Sequence, residues 1–323
     1  MSLPSKTKPI IKHLIDFINY CEIEKGLSSK TQENYSRFLG DFFAWLKSNK
    51  LEHLTPSALS DEHIWRYRLY LSRNKSLRTK TELKKVTQNL YLIALRSMLE
   101  YFIEKNIPSL PPNKIKLAKV TGDKEVNFLN ITQVENLLMS PDIKTKAGLR
   151  DRAMLETLFS TGLRVQELVN LNREQFRINN DTKDLEVVIV GKGKKIRTVY
   201  FSQRAVHWLK KYLDLRTDLD EALFINYWKP AQKNGQSRRL TVKSIDEIVK
   251  KYVKIAGLPI ITTPHTLRHS FATDLLSQGV DLRLVQEFLG HRNIATTQIY
   301  THVTKKQLRD IHKKIHSSNR LKD

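Results

Sequence analysis

Between residues 29 and 48 the apolar positions Tyr35, Phe38, Leu39, Phe42, Phe43 and Leu46 recur at the i, i+3, i+4, i+7 spacing of one buried helical face. Ser28 or Ser29 supplies the N-cap. A second long stripe runs through Val86, Leu90, Ile93, Ala94, Met98, Tyr101 and Phe102, and shorter stripes lie near residues 8–24 and 61–72. Four helices are enough for a small bundle. The periodicity then stops in "NIPSLPPNKIKLAKVTGDKE", residues 106–125. Proline cannot continue a helix and lysine-rich sequence cannot form a core, so this stretch predicts a flexible basic linker.

Beyond it the pattern is mixed. Helical spacing covers about 131–139, 147–161 and 164–170, and "LEVVIVGKGKKIRTVYF" reads as strand, glycine-containing turn, strand. Further helical segments follow at about 203–214, 241–256, 265–278 and 281–290, with a basic helix at the C-terminus. The expected fold is mainly α with a small β-sheet. It divides into a helical domain over 1–112, a linker over 113–126 and an α+β domain over 127–323.

Charge adds a partner to this picture. Lys and Arg total 56 against 33 Asp and Glu, a formal +23. The excess is not confined to a tail: residues 1–112 hold 18 basic and 11 acidic side chains, and residues 113–323 hold 38 and 22. Two basic domains joined by a basic linker suit a clamp on a polyanion such as a nucleic acid. The single cysteine, Cys21, falls four residues after Phe17 in a helical stripe and reads as a small buried hydrophobe. Without a cysteine framework the chain fits a reducing cytoplasm. The start "MSLPSKTKPIIKHLIDF" has no uncharged apolar segment of signal-peptide type, and no run approaches membrane-spanning length. The expected localisation is therefore cytoplasmic, with no membrane partner.

Four motifs hold candidate chemistry. In "TPHTLRHSFATDLL", His265 and His269 share a helical face at zinc-ligand spacing, but the glutamate of a zinc protease is replaced by Thr266. "HKKIH" at 312–316 repeats the spacing, again without an acid, so no metal or cofactor is expected. "GKGKK" at 191–195 lacks nucleotide-loop spacing and lies between two strands. It reads as a hairpin turn needing glycine for positive φ, with Lys192 at its tip. In "STGLRVQELVNL", Gly162 ends one helix, and Arg164 and Glu167 share a face of the next. Alone, that pair reads as a surface ion pair of little worth. "LGHRNIATTQIYTHV" ends a helix at Gly290, then offers His291 and Tyr300. Together these make two arginines, two histidines, a lysine, an acid and a tyrosine, without paired carboxylates for Mg²⁺. Guanidinium forks suit phosphate oxygens, lysine or histidine can protonate a leaving alkoxide, and a tyrosine hydroxyl can attack phosphorus. The inventory describes metal-free phosphoryl transfer through a protein–DNA ester.

"TGLRVQEL", "VGKGKKIR", "PHTLRHSFAT", "LGHRNIATTQIYTHV" and "KKQLRDIHKKIH" resemble, in order and spacing, the motifs of the tyrosine recombinases (phage-integrase family), and most of all the Xer-type members. The resemblance covers essentially the whole chain. It implies a SAM-like core-binding domain over 1–112 and a catalytic domain over 127–323 whose C-terminal helix docks on a neighbouring protomer. It also implies the roles. Tyr300 is the nucleophile that forms a 3′-phosphotyrosyl bond, Arg164 and Arg268 hold the non-bridging oxygens, and Lys192 protonates the departing 5′-oxygen. His265 handles the nucleophile's proton, His291 hydrogen-bonds the phosphate, and Glu167 orients Arg164. Lys194 and Lys195 lie close to Lys192, so the general acid rests on the motif. The implied substrate is double-stranded DNA with a short inverted-repeat core site. The implied assembly is a homo-tetramer, or a hetero-tetramer with a related recombinase, resolving chromosome or plasmid dimers beside a DNA translocase. A compact mobile-element integrase, a type IB topoisomerase-like enzyme and a non-catalytic DNA-binding protein stay open as alternatives.

Overall fold

The computed structural model describes residues 8–73, 81–119, 127–179, 181–191, 195–228 and 237–290. The chain divides into two compact units between residues 123 and 124. It is mostly helical with a single two-stranded sheet among the described residues, as the hydrophobic pattern predicts.

The first unit holds α1 (Leu14–Ile23), α2 (Ser29–Ser48), α3 (Asp61–Arg73) and α4 (Lys85–Glu104). On α2 the buried face is Phe38, Leu39, Phe42, Phe43, Trp45 and Leu46. Tyr35 is only half-buried, and Trp45 joins the face by packing on Phe42 and Tyr67. On α4 the stripe differs from the one expected. Val86 and Leu90 are exposed, while Leu92, Leu95 and Leu99 are buried with Ala94, Met98, Tyr101 and Phe102. The C-terminal half of α4 is the centre of the unit, packed by α1, α2 and α3, so it buries more than one stripe and the N-terminal turns bury little. Cys21 is buried in this core as a free thiol.

The expected free linker begins later than its composition suggests. Ile107 and Ile115 lie in the core of the first unit, with Leu110 and Leu117 packed against it. Asn89 on α4 holds the strap at its end: its Nδ2 donates to the Ala118 carbonyl at 2.9 Å, and the Ala118 N–H donates back to Oδ1 at 2.9 Å. Alternate apolar residues between the lysines give 114–119 a buried edge that proline and lysine content alone conceal.

In the second unit α5 (Ile131–Met139) and α6 (Lys146–Thr161) are followed at once by the short α7 (Val165–Val169). Strands β1 (Leu185–Val190) and β2 (Ile196–Phe201) pair antiparallel from Leu185 opposite Phe201 to Val190 opposite Ile196. Then come α8 (Gln203–Asp214), α9 (Val242–Ile255), α10 (Pro264–Ser277) and α11 (Leu282–Leu289). Helix α6 packs against α5, α8, α10 and β2, which buries four of its charged residues, Arg150, Asp151, Arg152 and Glu156. Each is paired, as buried charge requires: Arg152 Nε donates to Glu156 at 2.9 Å, Arg150 forks onto Asp151, and the Tyr252 hydroxyl donates to Asp151 at 2.9 Å.

Two helix ends and one helix start position the site. Gly162 stops α6 in the left-handed region at φ 58°, where an added Cβ would lie 2.5 Å from Phe271. Gly290 stops α11 in the same way at φ 61°. Helix α10 starts on a reciprocal cap: Thr266 Oγ1 accepts the Thr263 N–H at 3.0 Å, with Pro264 in the first turn. The expected C-terminal helix lies outside the described residues.

Asn89→Ala removes both bonds to Ala118, each worth about 0.5–1.5 kcal/mol. Limited trypsin digestion should then cut faster at Lys116 and Lys119 than in the unaltered protein. Equal cutting rates would show that the strap is held by its apolar contacts alone.

Candidate active site

The Glu167 carboxylate, only 6% exposed, is the focus of the second unit's polar residues. Glu167 lies one turn into α7, so its side chain reaches back to the helix start and accepts the Arg164 backbone N–H at Oε2, 2.9 Å away. Arg164 Nη1 also donates to Oε1 at 3.0 Å. From β2, Arg197 forks onto the same group, Nη1 to Oε1 at 2.9 Å and Nη2 to Oε2 at 2.7 Å. Burial pushes the Glu167 pKa up, but the Arg197 fork, the Arg164 N–H and both guanidinium charges outweigh it and hold it at about 2. Because this folded value lies below the ordinary 4.5, the stabilisation is complete above pH 4.5 and is lost as the pH falls toward 2. The pair is therefore not the surface ion pair that spacing suggests.

A second junction lies at the end of α11. The Leu289 carbonyl accepts Arg268 Nη2 at 2.6 Å and Arg164 Nη1 at 3.5 Å, and the Gly290 carbonyl accepts Arg164 Nη2 at 3.3 Å. Arg268 Nη1 donates to the Gly162 carbonyl at 2.6 Å. Arg268 is buried by these contacts, whereas a third of the Arg164 side chain stays exposed. His265, in the first turn of α10, stacks edge-on against His269 with ring centroids 4.3 Å apart. Partial burial, then the charges of Arg268 and Arg164, lower the His265 pKa below 6.5. Burial, His265 and Arg268 lower that of His269 to about 4.

Of the seven predicted residues, Arg164, Glu167, His265 and Arg268 are described; Arg164, Glu167 and Arg268 meet at these junctions, and His265 lies one turn before Arg268 on α10, in the field of Arg268 and Arg164. Lys192, His291 and Tyr300 lie outside the described residues. Lys192 directly follows Gly191, and His291 directly follows Gly290. The Gly191 N–H donates to the Lys195 carbonyl at 2.7 Å, closing the hairpin. Of the two glycines in the turn, Gly191 does not have a positive φ, and Gly193 lies outside the described residues. At Gly191 an added Cβ would press on the site, 3.0 Å from Arg197 Nη1 and 3.2 Å from Glu167 Oε1. Arg197 is the residue that sequence reasoning missed. Its signal was positional: on β2 it alternates with the buried Val199 and Phe201, so a charge occupies an inward-facing strand position.

The phage integrase family model matches residues 127–307, and the model of the phage integrase N-terminal SAM-like domain matches residues 14–106. The chain is 36% identical over 307 residues to tyrosine recombinase XerD of Listeria monocytogenes, covering 93% of this chain and 97% of that protein. It is 36% identical over 308 residues to XerD of Pseudomonas aeruginosa, covering 94% and 97%. The chain belongs to the phage integrase family. It is a tyrosine recombinase, an enzyme of site-specific recombination. Among solved structures it is similar to the XerH recombinase bound to a palindromic difH substrate in a post-cleavage complex. That likeness has a TM-score of 0.64 and 26% identity over 95% of this chain and 97% of that one.

In a tyrosine recombinase this constellation can bind an anion and accept a proton. Two guanidinium groups meet at one carbonyl, and their charges, with burial, disfavour the charged form of His265. Lowered folded values mean that the two imidazoles destabilise the fold as pH drops below 6.5, increasingly toward 4 for His269. NMR titration of the imidazoles should place His265 below 6.5 and His269 near 4. Either ring titrating at 6.5 or above would contradict the geometry.

Proposed function

We propose that the site carries out strand cleavage and rejoining of double-stranded DNA through a 3′-phosphotyrosyl intermediate. Arg164 and Arg268 bind the non-bridging oxygens of the scissile phosphate and offset the charge that grows on them in the transition state. The Tyr300 hydroxyl attacks phosphorus as its proton passes to the neutral His265. The P–O5′ bond breaks, and the departing 5′-oxygen takes a proton from Lys192. His291 donates a hydrogen bond to the phosphate, and Glu167 holds Arg164 in register. The free 5′-hydroxyl of a second strand reverses these steps, so the phosphodiester bond is exchanged without external energy. The observation that carries this reading is the meeting of Arg164 and Arg268 at the Leu289 carbonyl, with His265 in the field of both.

The basic excess in both halves of the sequence supports a duplex as substrate, engaged by a core-binding domain over 1–112 and a catalytic domain over 127–323. XerD and XerC relatives at about this level of identity support resolution of chromosome or plasmid dimers at a short inverted-repeat site. In this reading four protomers, of one kind or paired with a related recombinase, act on two duplexes in the cytoplasm. Each lends its C-terminal helix to the next, and a DNA translocase governs the timing.

The test uses a nicked duplex carrying the inverted-repeat site that the protein itself selects from a randomised pool. The unaltered protein should accumulate covalent adduct, and Tyr300→Phe should bind the site and form none. Arg164→Ala should slow adduct formation by about two to three orders of magnitude. Adduct persisting in Tyr300→Phe would refute the assignment.

A further inference from the structure

Arg197 ties together more of this site than any role assigned so far requires. Its fork takes both oxygens of Glu167, the carboxylate that also receives the Arg164 N–H and side chain. Its aliphatic and guanidinium atoms also wall two glycines from different parts of the chain. A Cβ on Gly191 would lie 3.0 Å from Arg197 Nη1, and a Cβ on Gly290 would lie 3.0 Å from Cδ and 3.1 Å from Nη1. Gly191 and Gly290 are the residues from which the chain leaves toward Lys192 and His291. One guanidinium thus contacts the start of the hairpin turn, the end of α11 and the anchor of Arg164.

We propose that Arg197 is a positioning residue for strand cleavage: it sets the Glu167 carboxylate under Arg164 and fixes the take-off points at Gly191 and Gly290. This rests on the function proposed above for the same site. A buried ion pair contributes little net stability against a well-packed apolar pair, so stability alone gives a weak reason for a charge at an inward strand position. What the guanidinium adds is geometry. Its planar fork fixes a carboxylate in two directions at once, which the point charge of a lysine cannot do. Arg197 Nε is buried and finds no acceptor among the described residues, so within them Glu167 supplies its hydrogen-bonding partners. The strand register locks the other end of the side chain, with Arg197 opposite Ile189.

The experiment measures single-turnover adduct formation at saturating nicked duplex, gel-shift affinity for the same duplex and thermal stability, in the full chain. Arg197→Lys keeps the charge and loses the fork. Its saturated cleavage rate should fall about 10- to 100-fold, the scale of an ångström-sized misplacement, while affinity changes by less than about 2-fold. Gly191→Ala pushes the guanidinium aside without removing it and should slow cleavage similarly. Combined with Arg197→Lys it should add little further slowing, because both changes disturb one contact. A role in folding alone would lower thermal stability and leave the saturated rate of the folded protein unchanged. Both single variants cleaving within 2-fold of the unaltered protein would overturn the proposal while leaving the function standing. No adduct from the unaltered protein would instead refute the function, and this proposal with it.

Discussion

A carboxylate shared between two arginines is the constraint on which the second unit's site depends. Glu167 is nearly sealed from water, and an isolated charge there would be driven to neutralise. It stays ionised because four donors from two elements meet it, two from Arg164 at the start of α7 and two from Arg197 on β2. That arrangement fixes how close the β-hairpin can come to α7. It also crowds positions 191 and 290, where a side chain would press on Arg197. The end of α11 closes the arrangement through carbonyls, which accept from the N–H groups of Arg164 and Arg268.

The electrostatic consequence reaches α10. Both imidazoles are partly withdrawn from water, His265 in the field of Arg268 and Arg164 and His269 in that of His265 and Arg268, so the fold disfavours their charged forms. The same packing that holds the arginines thereby sets the protonation state of their neighbour.

Much of this was legible in the sequence, and the parts that were not share a cause. Helical stripes, the strand pair and the glycine stops at 162 and 290 follow from local periodicity and backbone chemistry. The pairing of Arg164 with Glu167 followed from spacing, but its burial did not, because burial is set by β2 and α11, which are remote in sequence. Arg197 was missed for that reason: only the register places it against Glu167. The α4 stripe held over Ala94, Met98, Tyr101 and Phe102 but not at Val86 and Leu90, and it omitted Leu92, Leu95 and Leu99, because a central helix buries several faces that no single period marks. The strap over 107–118 was hidden because its composition is that of a linker, while its two buried isoleucines and the Asn89 bridge depend on a helix already in place.

The central claim is that an ionised Glu167 holds the site together, and it can be read on the unaltered protein. A ¹³C titration of the side-chain carboxyl, assigned by the loss of its resonance in Glu167→Gln, gives the pKa directly. The midpoint should lie near 2, with the group still ionised when ordinary glutamates have become protonated around 4.5. A midpoint at or above 4.5 would mean that the two arginines do not share this carboxylate in solution, and the account would be contradicted.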